Sequence, residues 1–356
     1  MIKRLRGEAL FVVAATVFLP LAVISHFAWS GTATFVLCSV AILPLARFMG
    51  SATETISHRL GSGLGGLMNA TFGNAAELIL AISALRAGKL QIVKASITGA
   101  IIGNLLLILG LSMLVGGLRR EKQNFNKTAA LAGISLMYLA LVAIAIPDFF
   151  ALSVGPSSAA KIVQPLSIGI AVVMLVVYGA SLLFTIRTHA HLYTDDHAVA
   201  EEGHGSVRKA VVILLVATVA TAVVAEFLVH AIEDANKSFG LSETFIGLVV
   251  IATVGNAAEH STAVMMAAKD RMNLSFTIAI ESSKQIALFV APVLVLLGAA
   301  IGQPMTLEFT HLEVIAIGVS VGAVTLTAQD GRSDWLDGLM LLAVYAILGV
   351  TFYFVP

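Results

Sequence analysis

The sequence predicts an all-α polytopic membrane protein of eleven transmembrane helices: helix 1, then two inverted five-helix repeats. Three observations predict it. Hydrophobic residues make up 58% of the 356 residues and charged residues 12%, about half the share of roughly 25% in soluble domains. Apolar runs long enough to cross about 30 Å of hydrocarbon recur along the whole chain. One octapeptide occurs twice, once in each half. So few polar side chains could not cover a soluble globule of this length.

Each segment follows from hydropathy. The chain opens Met1-Ile-Lys-Arg-Leu-Arg6 and turns apolar from Ala9 to Trp29. That opening resembles a signal peptide, but no small-residue cleavage site precedes the next apolar run, so it reads as a retained first helix. Ten further segments lie at about 32–59, 62–87, 90–118, 127–147, 163–186, 208–235, 241–268, 273–301, 311–328 and 334–355. The polar stretch from Ser51 to Ser62 marks an expected kink or interfacial piece. The organisation expected is a peripheral helix over 1–31, a first repeat over 32–186, a loop over 187–207 and a second repeat over 208–356.

Lysine and arginine set the orientation. With the N-terminus inside, the cytoplasmic side receives Lys3, Arg4, Arg6, Arg59, Arg119, Arg120, Lys122, Lys127, Arg187, Arg208, Lys209, Lys269, Arg271 and Arg332. The other side receives Arg86, Lys89, Lys161 and Lys237, with Lys94 near it. The expected location is a bacterial inner membrane, with the N-terminus cytoplasmic and the C-terminus outside. The loop from Thr188 to His204 carries Asp195, Asp196, Glu201, Glu202 and four histidines. It reads as a solvated linker or as a metal- or pH-sensing segment, because carboxylates and histidines are both ligand types.

The net charge is zero, with 21 basic and 21 acidic residues. No basic tract points to nucleic acid. The single cysteine, Cys38, excludes a disulfide framework. No cofactor is expected.

The repeat carries the functional argument. Ala70-Thr-Phe-Gly-Asn-Ala-Ala-Glu77 returns as Ala252-Thr-Val-Gly-Asn-Ala-Ala-Glu259, seven of eight positions identical at an offset of 182. The two copies fall on predicted helices three and eight. Five helices apart, they run in opposite directions, the build of many secondary transporters. Glu54 precedes the first copy and Glu226 the second, and Asn104 on helix four answers to Gln285 on helix nine.

Five carboxylates fall inside predicted spans: Glu54, Glu77, Glu226, Glu259 and Glu281. Each costs at least about 2.5 kcal/mol at the bilayer centre. Lys284, three residues after Glu281, can neutralise it, and Arg47, two turns before Glu54, can partner that one. Glu77 and Glu259 have no such neighbour in sequence. One Ca²⁺ balances their two charges. Calcium takes six to eight oxygen ligands, and Asn74, Asn256, Asn104 and Gln285 can add amide oxygens. Gly73 and Gly255 leave room for close helix crossing or a local break that frees carbonyls. All-oxygen ligation favours Ca²⁺ over transition metals. Without the cation, two like charges in low dielectric take up protons instead. Cation and protons then exclude each other from one site, which is antiport by competition. His260 points about 100° away from Glu259 and reads either as a proton-handling or gating residue or as a satisfied interhelical histidine.

Leu64-Gly-Gly-Leu-Met-Asn-Ala-Thr-Phe-Gly-Asn-Ala-Ala-Glu-Leu-Ile79 and Val254-Gly-Asn-Ala-Ala-Glu-His260 resemble the signature repeats of the calcium/proton exchangers (CAX), within the calcium/cation antiporter superfamily. Gly240-Leu-Ser-Glu-Thr-Phe-Ile-Gly247, Gln285-Ile-Ala-Leu-Phe-Val290, Gly302-Gln-Pro-Met305 and Gln329-Asp-Gly331 extend the resemblance from about Pro44 to Pro356. It implies eleven helices and a secondary antiporter, not an enzyme, that exports Ca²⁺ from the cytosol in exchange for H⁺. Glu77 and Glu259 would bind cation and protons, Asn74, Asn256 and Gln285 would surround them, and Glu54 and Glu226 would line the cytoplasmic path. Glu281-Ser-Ser-Lys284-Gln285 departs from the family's usual Gly-Ser-Ser followed by a small or apolar residue. The alternatives are exchange of Na⁺, K⁺ or Mn²⁺ for protons, and a sodium-coupled calcium exchanger. The expected partners are Ca²⁺, H⁺ and the lipid bilayer, with a homo-oligomer left open. An intramembrane metallohydrolase fits poorly, because zinc hydrolases want a second histidine one turn on. Against a passive channel, an alternating-access repeat with titratable acids at the midplane argues for a carrier.

Overall fold

The computed structural model describes residues 2–190 and 206–355. The acidic and histidine-bearing loop from His191 to His204 lies outside the described residues. Helices dominate. In order they are α1 (Ile2–Ala28), α2 (Gly31–Phe72), α3 (Ala75–Arg86), α4 (Leu90–Gly117), α5 (Lys127–Val154), α6 (Pro156–Leu183), α7 (Val207–His230), α8 (Ile232–Phe239), α9 (Glu243–Ala268), α10 (Met272–Ala300), α11 (His311–Thr327) and α12 (Trp335–Tyr353). Two short strands, β1 (Gln123–Asn124) and β2 (Arg332–Ser333), pair antiparallel with Gln123 opposite Ser333. Among the described residues, eight helices are long and apolar enough to cross a membrane. A ninth span follows if α8 and α9, bent by 112°, count as one.

Local chemistry sets the helix ends. Ser30 caps α2 by accepting the Ala33 amide at 3.3 Å, and Asn126 caps α5 through Ala129 at 3.0 Å. Thr310 with Glu313 and Asp334 with Asp337 form capping boxes on α11 and α12, which satisfy amides that have no partner inside the helix. Gly240 ends α8 at φ +65°, a left-handed turn that costs glycine little.

The polar stretch bends the helix, as the sequence reading expects. Helical hydrogen bonding runs on from Gly31 to Phe72, but a Cβ at Gly65 would lie 2.1 Å from the Ser57 carbonyl oxygen, eight residues back. A straight helix rises about 12 Å over that distance. Thr55 Oγ1 donates to the Ser51 carbonyl at 2.9 Å, whereas the buried Thr53 and Ser57 hydroxyls have no partner among the described residues. A second break falls at Asn74, whose φ −101° and ψ 32° leave the helical region.

The chain forms two compact units, each drawn from both halves of the sequence. Among the described residues, the first holds those up to Val93 and those from 206 to Ala258, with Val355. The second holds those from Lys94 to 190 and from Glu259 to Phe354.

In the first unit, α2 packs on α1 and α7, and α3 packs on α7. Met49, Ala52, Ile56, Ala75, Ala210, Leu214 and Ala217 form its core. Alanines at these contacts let backbones approach, which stands in for the hydrophobic drive that lipid removes. In the turn after α3, the Lys89 ammonium sits 2.6 Å from Glu233 and 3.0 Å from Glu243. The Glu233 hydrogen bond holds it above the ordinary lysine range, against a smaller opposing effect of burial. Its stabilisation is present below the lysine range and is lost as pH rises through the raised value.

In the second unit, α5 packs on α6, α10 and α11, and α12 packs on the C-terminal end of α4. Phe125 stacks on Phe276 with ring centroids 4.5 Å apart. Glycine sets the α4–α12 spacing. A Cβ at Gly338 would lie 2.3 Å from the Leu114 amide nitrogen and 2.6 Å from the Gly110 carbonyl oxygen. Backbone atoms cannot swing aside as a side chain can. Gly338→Val is therefore expected to destabilise the protein by about 1–3 kcal/mol, read as a lower melting temperature of the purified protein in detergent.

Candidate functional site

The first unit holds both glycine-asparagine pairs of the repeat. Gly73 closes α2 in helical geometry, Asn74 turns out of it, and α3 restarts at Ala75. Asn74 is fully buried. Glu77 is the third residue of α3, so its carboxylate sits at the positive end of a helix, where exposed amides offset negative charge. The second copy behaves differently. Gly255 and Asn256 lie inside unbroken α9, and the Asn256 amide donates to the Ala252 carbonyl at 2.9 Å. Glu77 lies against Gly255: its Cγ is 3.1 Å, and its Cδ and Oε1 3.6 Å, from the place a Cβ there would take. The glycine of the second copy thus makes space for the carboxylate of the first.

The second unit holds Glu259, His260, Asn104 and Gln285, and a residue the sequence reading did not single out. Ser282 of α10 hydrogen-bonds Glu259. It also accepts from Asn104 Nδ2 at 2.9 Å. His260 Nε2 stands 3.1 Å from Asn104 Oδ1. An amide oxygen only accepts, so Nε2 carries the hydrogen. The donors then run in one direction, from His260 to Asn104 to Ser282 to the Glu259 carboxylate. Neighbouring bonds in such a chain polarise one another. The other carboxylate oxygen of Glu259, Oε2, is buried and has no hydrogen-bond partner among the described residues. His260 is thus a hydrogen-bonded interhelical histidine, linked to Glu259 through Asn104 and Ser282.

Backbone irregularities frame this chain. α4 contains a π-helical stretch, Gly103–Ile108, that includes Asn104, and α10 contains another, Ile286–Val290, directly after Gln285. Shifted by the 182-residue offset, the first falls on 285–290, almost on the second. π-Turns occur preferentially where a helix serves a function rather than only packing.

The other predicted carboxylates have neighbours of their own. Glu54 is exposed, with His58 Nε2 at 4.0 Å. Glu226 is exposed too, and its backbone carbonyl faces His230 Nδ1 at 2.7 Å. Glu281 pairs with Lys284 at 2.5 Å, as the three-residue spacing predicts. Among the described residues no group of three or more His, Cys, Asp and Glu side chains could hold a metal ion.

Comparison with known proteins follows this geometry. The family model described as sodium/calcium exchanger protein matches residues 30–187 and 209–354. A Ca²⁺/H⁺ antiporter of Synechocystis sp. is 45% identical over 359 residues, 96% of each chain. The Ca²⁺/H⁺ antiporter ChaA of Bacillus subtilis is 42% identical over 350 residues, 97% of this chain and 99% of its own. The solved structure of native YfkE superposes with a TM-score of 0.84 at 39% identity, over 97% of this chain and all of the other.

Asn104→Ala removes the link between His260 and Ser282 and leaves two buried partners unmatched. It is expected to cost about 1–3 kcal/mol, measured as a lower melting temperature. A Ser282→Ala, Asn104→Ala double variant is expected to lose less than the sum of the two single losses.

Proposed function

We propose, for a chain that belongs to the sodium/calcium exchanger protein family, export of Ca²⁺ from the cytosol in exchange for H⁺, with Glu77 and Glu259 as the groups that bind either. The protein is a secondary transporter embedded in the membrane, not an enzyme. Relatives alike over nearly their full length bear the Ca²⁺/H⁺ antiporter name. The observation that carries the assignment of residues is the buried, unpartnered Oε2 of Glu259, at the end of a repeated motif whose first copy sets Glu77 at a helix N-terminus.

The chemistry needs only charge balance. One Ca²⁺ and two protons neutralise two carboxylates equally well. A site loaded with either is neutral and can change its exposure without carrying bare charge through lipid. A site loaded with neither holds two carboxylates in low dielectric, which blocks an empty return. Coupling follows from this exclusion and requires no further device. Asn74, Asn256, Asn104 and Gln285 supply amide oxygens to the cation or orient the carboxylates. His260 holds Asn104 and Ser282 in the direction that leaves the Ser282 hydroxyl hydrogen for Glu259. Glu54, exposed, lines the route from the cytoplasm, and Glu226, also exposed, stands near the opposite end of α7, next to Phe227, which stacks on His26 of α1.

The layout proposed with this mechanism is eleven spans, helix 1 and two inverted repeats, with the N-terminus in the cytoplasm of a bacterial cell. The nine apolar spans reach eleven when α3, with the end of α2 before it, and the 17-residue α11 are each counted. A discontinuous helix such as the one broken at Asn74 is typical of this transporter architecture. A sodium-coupled calcium exchanger is the second reading, favoured by the description of the family model itself.

Everted membrane vesicles with an imposed pH gradient test the function. Calcium uptake is expected to collapse when the gradient is dissipated, and a sodium gradient is expected not to replace it. Uptake driven by sodium alone would move the protein to the second reading. Glu77→Gln and Glu259→Gln are each expected to reduce uptake about a hundredfold or more, the loss of a charged ligand worth about 3 kcal/mol, with the melting temperature held. Wild-type exchange in either variant would place the site elsewhere.

A further inference from the structure

The second unit buries a full positive charge that the exchange mechanism does not use. Lys284 is 2% exposed and is among the largest fully buried side chains of the protein. Its Nζ lies 2.5 Å from Glu281 Oε2, and the Glu281 side chain is 29% exposed. The asymmetry matters. A pair kept only for packing would bury both members or leave both at the surface. Here the cation is sealed in and the anion is the open member, the reverse of the usual behaviour of lysine, whose long stem carries its charge outward.

Position gives the pair its meaning. At about 100° per residue, Gln285 lies roughly 40° around α10 from Glu281, one turn further on, with Ser282 beyond it on the same side. Ser282 is the residue that bonds Glu259 and Asn104. Lys284 lies on the opposite flank of Glu281. Glu281 therefore borders the polar face that serves Glu259, and Lys284 holds it from behind. From α6, Tyr178 stacks on Phe289 at 5.5 Å and stands within electrostatic range of Glu281, which closes that side with a phenol rather than a charge.

We propose that Lys284 is a built-in counter-cation that determines specificity: it neutralises Glu281, a third carboxylate beside the Glu259 site, and so limits the negative charge offered to a divalent cation. The inference rests on the reading of Glu259 as a cation-binding carboxylate. Lys284 touches no transported ion. It acts through Glu281 and sets how tightly a divalent cation is held and how readily it leaves. With Lys284 gone, Glu281 adds a full negative charge next to Gln285, and divalent cations gain most from it because attraction scales with their charge.

Proton-driven Ca²⁺ uptake by the full-length protein in liposomes tests this, with Km and kcat measured separately. Lys284→Met keeps the volume and removes the charge. It is expected to lower the Km for Ca²⁺ about fivefold or more and to lower kcat as release slows. Lys284→Arg keeps the charge and is expected to keep Km. Glu281→Gln alone leaves a buried ammonium unpaired and is prone to misfold. The double variant Glu281→Gln, Lys284→Met therefore carries the decision, and its Km is expected to return to within about twofold of wild type. An unchanged Km in Lys284→Met, or equal shifts in the single and double variants, would overturn the proposal. Glu259→Gln is assayed alongside. If Glu259→Gln is inactive while Lys284→Met keeps a wild-type Km, this inference fails and the Glu259 reading stands. If Glu259→Gln still transports, the reading beneath it fails.

Discussion

Carboxylates in a hydrocarbon setting must be answered, and the structure answers each in a different way. Glu281 has a lysine. Glu77 has a helix N-terminus and the space left by Gly255. Glu54 and Glu226 stay at exposed positions. Glu259 has one serine hydroxyl, and its second oxygen is left without a partner among the described residues. An unmatched buried acceptor is costly, and the proposed exchange gives this one an occupant.

The polar chain behind Glu259 has one direction. His260, Asn104 and Ser282 each use a donor on the next residue, so the direction of every bond is fixed by the first. Fixed donors present a carboxylate in one orientation, and a hard cation binds best to oxygens that need not reorganise. The π-turn around Asn104 contributes by displacing the register of α4 by part of a turn, which changes where its amide points.

Much of this was legible in the sequence. Hydropathy fixes the membrane class, and the octapeptide repeat marks Glu77 and Glu259, the pair proposed to bind the ions. The Glu281–Lys284 spacing predicts the ion pair. Three things were not legible. Ser282 is one of many serines, and only the fold brings it to Glu259. The π-turns leave no mark in composition because they are a backbone response to packing. α2 bends in the polar stretch, as read, but its helical hydrogen bonding carries on past the bend to Phe72, which hydropathy does not signal. The loop with its acids and histidines lies outside the described residues, and its two readings stand as they did.

The octapeptides carry one further lesson. Seven of eight residues agree, yet the helix parts at Asn74 and runs straight through Asn256. Local sequence therefore does not choose between the two shapes; tertiary surroundings do, and the free-energy gap between them must be small enough for surroundings to decide. Anyone rebuilding one half of this molecule by copying its twin would inherit the correct alignment and the wrong backbone, with a glutamate pointing where its counterpart does not.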